Sequence, residues 1–252
     1  MRNPLASLLG AASLIALLLT ACSTIEKIPG TPSPGANAIV AAPDRSDEDR
    51  KTDERRKPAT LLTFAGVKPG MAILDIGAGG GYTTELLARA AGPSGKVWGH
   101  NSQQMIDRFV KTAFDDRAKG LQGVKIYKHV AEFDDPVPPD APPLDMVTII
   151  LIYHDTAYLP VDRAKMLFRL HTALKPGGVV IVTDHSAKEG EGISVVKTLH
   201  RIEEATLLQE MKAAGFRLVA TSDAWRNPED PRTESFFKMK THTDQFALKF
   251  VK

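Results

Sequence analysis

Apolar residues along the chain recur with two periods, and the alternation between them lays out the fold. Short apolar runs that read as strands occupy residues 71–76, 96–99, 124–127, 146–152, 179–183 and 216–220, with 146–152 the strongest. Between them lie segments with apolar positions three and four apart: 83–91, 105–119 (Met105, Ile106, Phe109, Val110, Phe114), 163–174 (Met166, Leu167, Leu170, Leu174) and 207–214. Gly66, Pro176-Gly177-Gly178 and Gly215 fall where helices should stop. Residues 236–240 and 246–250 suggest a terminal hairpin. Strands this apolar are buried on both faces, and their alternation with helices predicts an α/β fold with a doubly wound, mostly parallel sheet.

The first fifty-odd residues follow a different pattern. After Arg2, residues 5–19 are apolar apart from Ser and Gly, too short for a comfortable membrane span and suited to a secretory signal. The run ends in Leu19-Thr20-Ala21-Cys22, small residues before the chain's single cysteine. This is the arrangement of a bacterial lipoprotein signal, with Cys22 acylated and anchoring the protein to a membrane. A residue other than Asp at position 23 points to the periplasmic face of the outer membrane. Residues 1–21 are therefore expected to be a signal peptide, 22–45 an extended Pro/Ala-rich tether, and 46–252 the folded domain. Ser46 is a fitting cap for a helix whose residues 47–57 are almost all charged, expected to be solvated and laced by i,i+4 ion pairs. On it Arg50, Asp53 and Arg56 recur every third residue and could close over an anionic ligand.

Composition narrows the function classes. A net charge of +2 over 252 residues, with no basic run interleaved with aromatics, gives no footprint for nucleic acid. One cysteine excludes an internal disulfide framework and a Cys-based metal cluster.

The chemistry-bearing feature follows the first apolar strand: Asp75-Ile76-Gly77-Ala78-Gly79-Gly80-Gly81. Glycines here allow positive φ and let a ligand approach the backbone, and ligands of such sheets bind beyond the strands' carboxyl ends. The dinucleotide pattern G-x-G-x-x-G fails from either start, because its last position is Tyr82 or Thr84. The spacing D-x-G-x-G-x-G is met throughout. With it, Leu174-Lys175-Pro176-Gly177-Gly178 and Ala213-Ala214-Gly215-Phe216 each precede a strand. Together these resemble the class I S-adenosylmethionine (SAM) dependent methyltransferases over residues 46–252. The charged leader, Tyr153-His154-Asp155, Asp184-His185 and Leu199-His200-Arg201 resemble, more narrowly, a family of exported bacterial methyltransferases. The resemblance implies a Rossmann-like, seven-stranded sheet with an antiparallel last strand, and SAM held by Asp75, Gly77, Gly79, Gly81 and Tyr82. The second strand usually ends in an acid that binds the ribose hydroxyls; here Asn101 stands in that place, able to accept through one oxygen only. On the adenine side, after the third strand, Val130, Glu132 and Asp134 compete, with Glu132 the choice among them.

Methyl transfer needs in-line positioning and removal of the acceptor's proton. His154 or His185 is the expected general base, with Asp155 or Asp184 as orienter, acting on a small-molecule acceptor. His154, Asp155, Asp184, His185 and His200 are adequate ligands for zinc, but their spacing is not local and the sequence by itself assigns no metal. The alternative reading is a non-catalytic envelope lipoprotein that uses the same fold to bind a nucleoside-type or other periplasmic ligand.

Overall fold

The computed structural model describes residues 24–252; the expected signal peptide and Cys22 lie outside the described residues. Those residues form an eight-stranded sheet: β1 (Glu26–Lys27), β2 (Ala72–Ile76), β3 (Lys96–Asn101), β4 (Ile126–Val130), β5 (Leu144–Ile150), β6 (Leu174–His185), β7 (Arg217–Ser222) and β8 (Gln245–Val251), in spatial order β1-β7-β8-β6-β5-β2-β3-β4. All pairings are parallel except those of β8 with β6 and β7. The expected mostly parallel, doubly wound sheet with its antiparallel last strand is thus present, with one strand more than the seven expected. The extra one is β1, whose two residues extend the edge beside β7.

The strand residues alternate between two cores, as the two-residue period of a pleated strand requires. Leu74, Ile76, Val147, Ile149, Val180 and Val182 face one side, covered by α8 (Arg163–Ala173) and α10 (Glu204–Ala213) through Met166, Leu167, Leu170, Leu207 and Met211. Ile73, Met146, Ile150 and Ile181 face the other, under α3 (Pro58–Ala65) and α4 (Tyr82–Ala91) through Leu61, Leu62, Phe64, Leu86 and Leu87. The chain leaves β2 toward β3 and β4, then returns to the other side of β2 as β5. That reversal opens a crevice at the carboxyl ends of β2 and β5.

The N-terminal region corrects two expectations. The tether is not extended throughout: Ser33 caps α1 (Pro34–Val40), accepting from the Ala36 N–H at 3.2 Å, and Ala36 is buried in the α3–α4 core. Small residues, unremarkable as a pattern, are what a narrow groove beside two helices admits. The charged helix α2 (Asp47–Arg56) is capped by Ser46 as expected, but it is not simply solvated. Asp49, Asp53 and Arg56, spaced four and three apart, share an inward face. Asp49 pairs with Arg117 (2.6 Å) and Asp53 with Arg45 (2.6 Å) and the Tyr82 hydroxyl (2.6 Å). Its ion pairs are therefore long-range, not i,i+4.

Two further segments differ from their pattern. The helix expected over 105–119 is broken into α5 (Gln103–Met105), a π turn over Ile106–Val110 and α6 (Ala113–Gly120), with Lys111 at φ 51°. The wider turn and the left-handed residue reset the phase, so Val110 and Phe114 are buried while Phe109 is 78% exposed. The expected terminal hairpin is absent: Phe236 and Phe237 sit in a turn, closed by the Lys238 N–H on the Ser235 carbonyl, and β8 pairs with β6 and β7 instead.

Candidate active site

The glycine turn leaves β2 and leads into α4, and neighbouring strand ends set its shape. Gly77, Gly79 and Gly81 have φ of 62°, 57° and 85°, values side-chain-bearing residues rarely hold. A Cβ on Gly77 would lie 2.5 Å from Ile152, whereas one on Gly79 would meet nothing within 4 Å. Gly77 thus faces packed protein and Gly79 faces open space. The end of β3 clamps the turn. The His100 carbonyl accepts from Ala78 N (2.8 Å) and the His100 ring nitrogen Nδ1 from Gly77 N (3.5 Å). Asn101 binds both sides of Gly79, its Oδ1 accepting from Gly79 N (2.9 Å) and its Nδ2 donating to Gly79 O (3.0 Å). Burial pushes His100 down to about 4, so the ring is neutral and its Nδ1 is free to accept. Sequence reasoning missed His100; its one signal was its place at the end of the second strand.

Asp75 is buried with both oxygens engaged. Oδ1 accepts from the Thr148 hydroxyl and Oδ2 from that of Thr84, each at 2.7 Å. Burial pushes its carboxyl up to about 6, against the pull of these hydroxyls and of Arg56. Because the folded state holds this proton more tightly than an unfolded chain, stability falls as pH rises from the ordinary carboxylate range through about 6, and is flat above. An Asn in its place accepts from one threonine and donates to the other without that charge. Asp75→Asn is therefore expected to be more stable than the parent at pH 8 by up to about 3 kcal/mol, at about 1.4 kcal/mol per pKa unit, with the margin gone near pH 4. Thermal melts at the two pH values check this; an equal margin at both would remove the explanation.

Beside the turn, Tyr82 carries two guanidinium groups, Arg45 at 5.8 Å and Arg56 at 5.6 Å from the ring centroid. Arg45 is neutralised by Asp53. The Nε atoms of both arginines are buried without a hydrogen-bond partner, but Arg56 has no ion-pair partner among the described residues to match Asp53. Burial, and then the charge of Arg55, push its pKa below the usual arginine value, the mark of a cation lacking its anion. Glu132 is exposed in the loop after β4.

The second group gathers at the ends of β5 and β6. Leu151 (φ 58°) turns the chain into the single-turn helix α7 (Tyr153–Thr156). Asp184, fully buried, accepts from the His154 N–H at 2.8 Å and lies 2.7 Å from the His154 ring nitrogen Nδ1. It accepts also from the His185 N–H (2.7 Å). On the far side of the ring, His154 Nε2 lies 3.3 Å from Asp155 Oδ1. Burial alone would lower His154, but Asp184 and Asp155 outweigh it and hold it up at about 10. His185 is pushed down to about 3 by burial. It stacks on Phe236 at 4.6 Å and its Nδ1 lies 2.6 Å from the Thr243 hydroxyl. It also lines a cleft of about 690 Å³ with Phe236, Phe237 and the end of α2. Of the two expected bases, then, the flanking carboxylates favour a proton on His154 and burial disfavours one on His185; Asp184 orients the first, Thr243 the second. His200 follows α9 (Val196–Leu199) in left-handed conformation with its Nδ1 3.6 Å from Asp155 Oδ1.

These features agree with comparisons to known proteins. Residues 73–178 match the family model described as a methyltransferase domain. The chain is 31% identical over 191 residues to the ubiquinone/menaquinone biosynthesis C-methyltransferase UbiE of Burkholderia multivorans, covering 76% of this chain and 69% of that one. In fold it is similar to a SAM-dependent methyltransferase from Aquifex aeolicus (TM-score 0.57, 17% identity, 82% and 99% of the two chains). It is similar likewise to the N-methyltransferase NodS from Bradyrhizobium japonicum (TM-score 0.55, 13% identity, 81% and 98%). The chain belongs to the class I SAM-dependent methyltransferases, and its cofactor is SAM. The relatives do not favour the non-catalytic binding protein.

The residues present fit that cofactor. SAM's methionine end carries a carboxylate and an ammonium; the turn offers the open face of Gly79, and beside it stand the buried Asp75 and, from the end of α2, Arg56, which has no ion-pair partner among the described residues. SAM supplies a methyl group on a sulfonium; the chain supplies the cradle.

Proposed function

We propose that this protein methylates a small, already acidic acceptor (an enol, a phenol or an activated carbon acid), with SAM bound across the turn and the acceptor in the cleft beside His185. The observation that carries the reading is the placement of the two histidines: His185, 2.6 Å from the Thr243 hydroxyl and stacked on Phe236, lines the cleft, while the His154 ring is held between Asp184 and Asp155. In the tautomer whose Nδ1–H donates to Thr243, His185 presents a bare Nε2 to the cleft. A base this weak suits an acceptor that gives up its proton readily. The C-methyltransferase relative is consistent with a carbon nucleophile. Arg56 takes the SAM carboxylate and Asp75 lies toward its ammonium. Residues 1–22 place the protein in the bacterial envelope with a lipid on Cys22; loss of membrane association in Cys22→Ser tests that address.

Calorimetry with SAM and S-adenosylhomocysteine tests the cofactor assignments. Arg56→Leu should weaken both ligands roughly 10–100-fold, the value of one charge-assisted hydrogen-bonded pair, without lowering the melting temperature. Unchanged affinity would take Arg56 out of the site. Across a panel of phenols and enols, His185→Ala should cut S-adenosylhomocysteine formation and leave SAM affinity intact. Equal turnover in that variant would remove the base.

A further inference from the structure

The histidines at the strand ends do more than flank an acceptor. We infer that His154 Nε2, Asp155 Oδ1 and His200 Nδ1 form a three-ligand site for a divalent transition cation, zinc foremost. These three donor atoms, from two segments 45 residues apart in sequence, lie within 4.8 Å of one another.

Three observations support the assignment. The first is spacing. Two ligands on a tetrahedral ion with bonds of 2.0–2.1 Å stand about 3.3 Å apart; His154 Nε2 and Asp155 Oδ1 stand at 3.3 Å, and His200 Nδ1 and Asp155 Oδ1 at 3.6 Å. The second distance is too long for a hydrogen bond, so His200 stands beside Asp155 at ligand spacing without being bonded to it. The second is the outer shell. His154 Nδ1 lies 2.7 Å from the fully buried Asp184. A metal-binding imidazole characteristically donates its other nitrogen to such a carboxylate, which fixes the ring and raises its basicity. The third is the fixed backbone of His200, which caps α9 in left-handed conformation at φ 52° with its N–H on the Val196 carbonyl. The adjoining Arg201 anchors it through Asp230 and the Ser186 carbonyl. Phe237, 5.1 Å from His200, and Tyr158, 5.9 Å away, wall the group.

Two imidazoles and one carboxylate leave a coordination position open, as catalytic rather than structural zinc sites do. Asp155 and His200 keep 20% and 24% of their side chains exposed, so the open position can be reached. The pairing with the cleft rests on the methyl-acceptor reading: the cation would take the acceptor's oxygen and increase its acidity, which complements a weak base at His185.

Metal binding is measured without SAM or acceptor, so its failure and that of the methyl-acceptor reading are distinguishable. The full chain, stripped with chelator, is titrated with Co²⁺ alone and followed in the visible region, then with Zn²⁺ in competition. One equivalent should bind with the intense absorption of a tetrahedral site. His200→Ala and Asp155→Asn, both part-exposed and tolerant of replacement, should each weaken binding at least about 100-fold. Asp184→Asn should weaken it about 10–100-fold; if that variant does not fold, the first two decide. No saturable binding of either ion, or affinity unchanged in His200→Ala, overturns the site.

Discussion

Arg201→Ala should lower folding stability by about 3–5 kcal/mol, the cost of leaving a buried charge without its partner. Arg201 is fully buried, and its guanidinium is saturated: Nη1 reaches Asp230 (2.8 Å) and the Ser186 carbonyl (3.0 Å), Nη2 reaches Asp230 (3.2 Å) and the Met239 sulfur (2.9 Å), and Nε reaches the Glu234 carbonyl (2.9 Å). Asp230 in turn accepts from Arg232 N and Asp244 N. One side chain therefore ties the end of β6 to the long segment before β8, where Phe236 stacks on His185. Chemical unfolding measures the loss. Arg201→Lys keeps the charge but not the planar fork, and should recover less than half of it. A change under about 1 kcal/mol in Arg201→Ala would mean that the segment is held by other contacts. In that case the wall of the cleft would not depend on Arg201.

The same residue shows where sequence reasoning stops. The sheet was legible because apolar period and glycine punctuation are local signals: β2, β5 and β6 are central strands with apolar runs, and the Asp75–Gly81 turn sits between β2 and α4. Pairing among charges is not local. Nothing in Asp47–Arg56 tells that Asp49 will meet Arg117 or that Arg56 will stay unpaired, since each depends on which face turns inward. The histidines were singled out by their position after apolar strands, but their states were not. His154 and His185 differ because Asp184 places its carboxylate on the ring of one and only on the backbone of the other. The phase of 105–119 was misread because a π turn adds a residue without altering composition.

Asn101 gives the sharpest disagreement between pattern and geometry. By pattern, an acid at this position binds the ribose hydroxyls, so Asn101→Asp should restore a missing contact and tighten SAM. The geometry predicts the opposite. The Asn101 amide is buried and matches the Gly79 peptide group for group, accepting from its N–H and donating to its carbonyl. A carboxylate keeps the first bond, loses the second, and sets a charged oxygen against the Gly79 carbonyl where Nδ2 now sits at 3.0 Å. In a buried site a lost donor together with an uncompensated charge costs about 2–4 kcal/mol. That cost falls on the turn that shapes the cofactor cradle, so SAM affinity should drop at least about 30-fold at pH 8, given tenfold per 1.4 kcal/mol. The sign of the pH dependence follows. Desolvation and the facing carbonyl both raise the pKa of the new carboxyl, and once protonated it can donate to Gly79 O as the amide does. Part of the affinity should therefore return near pH 5.5 in Asn101→Asp but not in Asn101→Ala, which has neither donor nor acceptor. Tighter SAM binding by Asn101→Asp at pH 8 would instead put position 101 on the ribose, and the clamp on Gly79 would then be secondary to that contact.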